Sequence, residues 1–156
     1  MLERLHEAEL LAEQLNDDRQ RGRVYAFMAT THSLLGELDA AIATGNRARH
    51  IAEDLGDLEL RILATSFLGQ AHYYRGEYET VVKVTTANLA ALPADWTYEY
   101  FGNVAPASVF DRAWLAMALA QLGRFSEAAE FEAEAIRLAE PMQHAFTSGR
   151  AYLAVL

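Results

Sequence analysis

Apolar residues recur every three or four positions along nearly the whole chain, which is the spacing of an amphipathic helix. Leu2, Leu5, Leu11 and Leu15 follow this spacing at the start of the chain. Glycine follows several of these stretches, because it takes the left-handed conformation after a helix at little cost. Short turns between such helices make neighbours antiparallel. The pattern predicts eight helices, at residues 2–16, 19–35, 39–55, 59–75, 79–92, 107–122, 126–139 and 144–155.

Two short stretches return later in the chain in the same register. LLAEQLND at residues 10–17 returns as HIAEDLGD at 50–57, 40 residues later. GRVY at 22–25 returns as GRAY at 149–152, after 127 residues. A hairpin of two helices cannot bury its apolar face alone, so repeated hairpins stack on one another. The sequence therefore predicts an array of helical hairpins with a period of about 40 residues.

The turns divide this array into units. Gly36, Gly76 and Gly123 follow helices in similar contexts, and they are 40 and 47 residues apart. The longer interval contains the one long connection, PADWTYEYFGNVAP at 93–106. We predict a single repeat domain with a half unit at 1–17, full units at 18–57, 58–106 and 107–141, and a half unit at 142–156.

The composition of the chain argues against some classes of binding partner. The formal net charge is −9, so the chain would repel a phosphate backbone, and we expect no nucleic-acid partner. There is no cysteine, which excludes thiolate zinc sites and is compatible with the cytoplasm. No apolar run approaches the roughly 20 residues that span a bilayer. We expect a cytoplasmic protein with no membrane contact.

The hairpins resemble the tetratricopeptide repeat (TPR), in which a Leu-Gly pair marks the first helix and a proline closes the unit. The second full unit matches best, with Leu68 and Gly69 at the pair, Val81 at the small position and Pro93 at the close. The resemblance implies an all-α, right-handed α-solenoid whose first helices line a concave groove. Matching positions in the other units are Tyr25, Met28, Ala29, Ala41, Leu115, Ala116, Ala128 and Ala135.

A narrower resemblance covers residues 101–140. The phrases RAWLAMALAQLG and EAIRLAE are similar to the helical region after the ATPase module of large bacterial signalling proteins, some of which carry a class III adenylate or guanylate cyclase domain. No phosphate-binding G-x-x-x-x-G-K-[ST] motif is present in the chain. The resemblance implies a regulatory segment of a longer protein. Residues 1–16 are a second helix without a first, and AYLAVL at 151–156 is apolar, so either more chain follows or these ends pair with another copy.

The expected binding surface is the groove along the first helices. Arg23 and Arg150 occupy equivalent repeat positions, and two arginines facing one groove would hold a carboxylate or phosphate bidentately. Tyr73 and Tyr74 would add rigid apolar contact area. The alternative is that these side chains cover the groove and pair with nearby glutamates. The positions expected to be exposed there are Arg23, Thr30, Ser33, Gln70, Tyr73, Tyr74, Phe110, Met117, Gln121 and Arg150.

A second candidate surface is the aromatic part of the long connection. Long loops with their own aromatic residues are often functional, and this one would form a lid or a partner-binding patch. The alternative is that it folds back onto Trp114 and the neighbouring hairpin. The residues of this insert patch are Trp96, Tyr98, Tyr100 and Phe101.

The sequence gives only weak signals for a catalytic or metal-binding site. His32 and His72 are repeat equivalents, so they suggest either a metal or pH-sensitive pair, or packing in place of the family's aromatic residue. Glu127, Glu130 and Glu134 share one helix face, which is typical of a solvated surface. No serine-hydrolase or metalloprotease motif is present. We expect no catalytic residues, no metal and no cofactor.

The leading hypothesis is therefore a non-enzymatic interaction or regulatory module that binds a peptide or protein segment in its groove. Two alternatives stay open. One is a self-association element that forms a homodimer through its apolar ends, and the other is a small-molecule sensor domain.

Overall fold

The computed structural model describes residues 1–152, which are helical and contain no strand. The predictions of an all-α fold and of eight helices are confirmed. The predicted end of the last helix and the end of the AYLAVL stretch, residues 153–156, lie outside the described residues. The helices are α1 (Leu2–Gln14), α2 (Asp18–Leu35), α3 (Leu38–Leu55), α4 (Leu58–Tyr74), α5 (Tyr78–Ala91), α6 (Ala107–Gln121), α7 (Phe125–Ala139) and α8 (Ala145–Tyr152), with short 3-10 helices at Ala94–Trp96 and Glu140–Met142.

Repeated sequence at the turns produces repeated local structure. Asp17 and Asp57 are the N-caps of α2 and α4, and their carboxylates accept hydrogen bonds from Gln20 N at 3.0 Å and Leu60 N at 2.9 Å. Such a cap satisfies one of the amide groups that the first helical turn leaves without a partner. Gly36 ends α2 with a φ of 79°, in the left-handed region that favours glycine.

The chain forms two compact units, and the first is Met1–Arg75. In this unit α2 packs against α1, α3 and α4. Small residues allow these helices to approach closely: Ala26, Ala29 and Ala48 are fully buried. Larger core side chains, among them Leu60 and Leu63, fill the space around them. Tight packing at small residues fixes how the helices of this unit are placed.

The second unit begins at Gly76. Helix α6 packs against α5, α7 and α8, and its Trp114 is 1% exposed. Asn88 of α5 donates a hydrogen bond of 2.7 Å to buried Asp111 of α6. The boundary between the two compact units falls within the predicted repeat unit 58–106. The single repeat domain stays a prediction.

The helices of residues 1–152 include none with both the length and the apolar content needed to cross a membrane.

Candidate functional site

Residues 40 positions apart meet between α2 and α4. The rings of Phe27 and Phe67 are 5.7 Å apart between centroids. Thr30 Oγ1 donates a hydrogen bond of 2.8 Å to Gln70 Oε1. Within the first unit, the 40-residue register therefore places equivalent side chains of neighbouring first helices side by side.

Four charged side chains lie at the N-terminal ends of these two helices. Arg19 contacts Asp57 at 2.6 Å and Glu59 at 3.0 Å, and Arg23 contacts the other oxygen of Glu59 at 3.0 Å. The hydrogen bond to Asp57 and the charges of Asp57 and Glu59 raise the pKa of Arg19 above its usual value. Burial raises the pKa of Asp57, but the hydrogen bonds from Leu60 N and Arg19 outweigh this and hold the pKa below its usual value. Both shifts favour the charged forms of Arg19 and Asp57.

This cluster changes the role expected of Arg23. The side chain is 22% exposed and has a carboxylate partner in its own chain, Glu59. A partner carboxylate would have to compete with Glu59 for the guanidinium. Sequence reasoning overlooked Glu59, although its spacing of 36 and 40 residues from the two arginines gave a signal.

The C-terminal end of α4, opposite the charged N-terminal end, is aromatic. Tyr73 and Tyr74 meet edge to face with ring centroids 6.2 Å apart, and Tyr74 is 44% exposed. Phe27, which sequence reasoning also missed, is half-buried beside Phe67. We call the strip formed by Arg23, Phe27, Thr30, Tyr73 and Tyr74 the α2–α4 surface.

The expectation of exposure is wrong at three positions. Gln70 is 6% exposed, because it is buried while it accepts the hydrogen bond from Thr30. Ser33 is 4% exposed and donates a hydrogen bond to the Ala29 carbonyl of its own helix. Phe110 is 3% exposed and packs edge to face against Trp114. Gln70 and Ser33 therefore contribute to packing in the first unit, and Phe110 contributes to packing in the second.

Arg150 lies in the second unit and has different surroundings from Arg23. Its guanidinium carbon lies 3.9 Å from the centre of the Trp114 ring and 4.9 Å from that of Phe110. Both distances are typical of cation–π contacts. Arg23 and Arg150, at equivalent repeat positions, therefore have different environments. Of the other predicted groove residues in this unit, Met117 is half-buried and Gln121 is exposed.

The insert aromatics are partly folded back. Trp96 and Phe101 pack on each other, with ring centroids 5.2 Å apart. Tyr100 reaches α8, where its hydroxyl lies 3.3 Å from Thr147 Oγ1. Its ring also lies 5.9 Å from that of His144. Tyr98 is 52% exposed, so it is the insert residue most accessible to a partner among the four.

The candidate chemical groups have structural partners. His32 Nδ1 lies 2.6 Å from Glu37 Oε2. Arg124 donates two hydrogen bonds to Glu127, which hold the pKa of that carboxyl below its usual value. Glu134 accepts a hydrogen bond of 2.8 Å from Arg112. Within residues 1–152, no three histidine, aspartate or glutamate side chains gather as metal ligands would.

A cleft that the sequence did not indicate lies at the turn between α3 and α4. Its volume is about 330 Å³, near the lower end of ligand-pocket sizes. Part of its wall comes from the repeated stretch at 50–57, so the same residues that mark the repeat also form this cleft. The lining residues are Ala52, Glu53, Gly56, Asp57, Leu58 and Arg61.

No protein-family model and no curated protein matches the chain.

Proposed function

We propose that this chain is a non-enzymatic interaction module, a right-handed α-solenoid of TPR-like hairpins that binds a peptide or helical segment of a protein partner. The proposed contact area is the α2–α4 surface. The observation that carries the proposal is the aromatic pair Tyr73–Tyr74, whose second member is 44% exposed on a first helix. Tyrosine is enriched where proteins bind one another, because it offers a large rigid apolar body and a polar tip.

The chemistry of this surface defines the segment it would take. The tyrosines suit an apolar side chain of the partner. The opposite end holds two arginines and two carboxylates in mutual contact, so a charged partner group exchanges one ion pair for another. Exposed ion pairs contribute about 0–1 kcal/mol. The tyrosines therefore carry most of the affinity, and Arg23 mainly orients the segment.

The resemblance of residues 101–140 supports a regulatory role within a bacterial signalling protein, in the cytoplasm. In this proposal, partner binding would control or recruit domains attached to the same parent protein, and the chain itself performs no reaction.

A random peptide library displayed on phage tests the proposal. The immobilised chain selects peptides, and titration calorimetry measures the Kd of a selected synthetic peptide for the unsubstituted chain and for three variants. The variants are Tyr74→Ala on the α2–α4 surface, Tyr98→Ala in the insert and Phe125→Ala at the start of α7. All three residues are exposed, at 44%, 52% and 65%, so removal of their rings leaves the core intact.

The proposal expects Tyr74→Ala to raise the Kd by about tenfold or more, the effect of losing an interface aromatic. Tyr98→Ala and Phe125→Ala should stay within about twofold, since most exposed residues outside a hot spot contribute little. A library that yields no binder would contradict the proposal. A loss confined to Tyr98→Ala would move the site to the insert.

A further inference from the structure

One side of α1 is exposed where its repeat equivalent is covered. The 40-residue register relates α1 to α3, and Leu11 to Ile51. Ile51 is half-buried against α2, since a methyl group in place of the hydrogen of Gly22 would lie 3.0 Å from Ile51 Cγ2. Leu11 is 58% exposed. Leu15 is more exposed than its equivalent Leu55, at 75% against 48%.

The exposed side of α8 is open where the equivalent position of α2 is filled. The 127-residue register relates α8 to α2, and Gly149 to Gly22. Among the described residues, nothing lies within 4 Å of a methyl group placed at Gly149. Phe146 and Tyr152, three residues to either side, are 55% and 49% exposed. Helix α8 therefore presents an apolar strip with a glycine at its centre.

The packing of α3 on α2 is an internal template for covering both surfaces. In that pair, Ile51 approaches Gly22, and Arg47 lies over the ring of Tyr25 at 5.4 Å. The equivalent positions in α1 are Leu11 and Glu7, and those in α8 are Gly149 and Tyr152. Both ends thus keep one contact of that helix pair, a branched side chain against a glycine, whereas Glu7 replaces the cation that lies over the tyrosine ring.

Charge favours the same pairing. Helix α1 contains four glutamates and one arginine, whereas α8 contains no carboxylate and one arginine. Two α1 helices would repel each other, and α1 with α8 would not.

We propose that copies of this chain associate head to tail, with α1 of one copy docked on α8 of the next as α3 docks on α2. Leu11 would lie against Gly149. This inference goes beyond peptide binding and uses neither the α2–α4 surface nor the insert. Each docked pair leaves one α1 and one α8 exposed, so larger assemblies follow at higher concentration. An interface of one helix pair is small, and interfaces under about 1,200 Å² are typically weak.

Sedimentation velocity of the purified 156-residue chain over a concentration series tests this proposal. Leu11→Glu alters the α1 face, and Gly149→Leu fills the open strip on α8. Both positions are exposed, so the variants should keep the helical fold, which circular dichroism checks. Leu34→Glu is the matched control, because Leu34 is 63% exposed on α2 outside both faces.

The unsubstituted chain should show a sedimentation coefficient that rises with concentration. Each of the two face variants should raise the dissociation constant by about tenfold or more, as a charge or a steric block at the centre of an interface does. The Leu34→Glu control should stay within about twofold of the unsubstituted chain, since exposed residues outside an interface contribute little.

A mixture of the two variants separates head-to-tail contact from other arrangements. Leu11→Glu keeps an intact α8, and Gly149→Leu keeps an intact α1, so the mixture should form a one-to-one complex at concentrations where each variant alone is monomeric. Three results would overturn the proposal: an unsubstituted chain that stays monomeric, self-association of Gly149→Leu as strong as that of the unsubstituted chain, or no complex in the mixture. Only the purified chain is present, so none of these results bears on peptide binding.

Discussion

Gly45 lies in the interior of α3 at a point of close packing. A methyl group in place of its hydrogen would lie 2.7 Å from Leu68 Cδ2, 2.8 Å from Leu68 Cγ and 3.5 Å from the methyl group of Ala29. Leu68 is 4% exposed, and the branch carbon is in contact as well as the end of the side chain. Rotating one methyl group of Leu68 therefore does not make room, and Gly45→Ala must displace the whole side chain.

The magnitude follows from two opposing effects. Gly→Ala in an exposed helix interior stabilises by about 1 kcal/mol. Inserting a methyl group into a well-packed core costs about 1–3 kcal/mol. We expect Gly45→Ala to lower the free energy of unfolding by about 0–2 kcal/mol, the difference between these two ranges. Gly149→Ala is the matched control at concentrations where the chain is monomeric, because a methyl group there meets nothing described within 4 Å. It should raise the free energy by up to about 1 kcal/mol.

Urea denaturation followed by circular dichroism measures both variants. A second test places Leu68→Ala in the Gly45→Ala background. The double variant makes room for the new methyl group, so Leu68→Ala should cost less there than in the unsubstituted chain. If Gly45→Ala stabilises as much as Gly149→Ala, or if the two substitutions at the contact are additive, the packing account of this glycine is refuted.

Three further substitutions test the first unit, each by urea denaturation. Asp57→Asn should cost about 1 kcal/mol at pH 7, because it removes a charge-assisted hydrogen bond to Arg19. The pKa of Asp57 is lowered in the folded state, so this contribution is fully present above about pH 4, the pKa of an unfolded aspartate. It disappears as the pH falls through the folded-state pKa. A loss of stability in Asp57→Asn that is unchanged at pH 2 would contradict this explanation. Leu60→Ala should cost about 2–5 kcal/mol, since Leu60 is fully buried, and a loss near zero would contradict its place in the core. Tyr25→Phe should cost about 1 kcal/mol by removing the hydroxyl that donates to Glu9 at 2.7 Å. Burial and that hydrogen bond raise the pKa of Tyr25. In alkaline difference spectra, Tyr25→Phe should therefore lack one tyrosine that ionises above about pH 10 in the unsubstituted chain. If the missing tyrosine is one that ionises at the usual pH, this explanation is contradicted.

The helices were predictable because their signals are local. Helical periodicity and terminal glycines placed every predicted helix end within the described residues close to the observed one. The aspartates at 17 and 57 belong to the repeated stretch, and the structure gives both the same capping role. Local propensity, capping and tertiary packing agree at these positions, so sequence reasoning succeeds there.

The exposure of individual side chains was harder to predict, because it depends on neighbouring helices. Gln70 has a polar side chain at a first-helix position expected to be exposed, yet its hydrogen bond with Thr30 lies in a buried contact between α2 and α4. Phe27–Phe67 and Arg19–Glu59 were accessible to sequence reasoning, since both pairs keep the 40-residue spacing. The contact of Tyr100 with Thr147 was not, because the insert has no periodic pattern from which to infer its path.

Tyrosines of a first helix form the proposed partner-binding surface. Fluorine NMR of the chain labelled with fluorotyrosine reads all seven tyrosines at once, with signals assigned by single Tyr→Phe variants. On addition of a library-selected peptide, the signals of Tyr73 and Tyr74 should shift, while those of Tyr98 in the insert and Tyr152 on α8 stay in place. Shifts at Tyr98 or Tyr152 with unchanged signals from Tyr73 and Tyr74 would contradict the account.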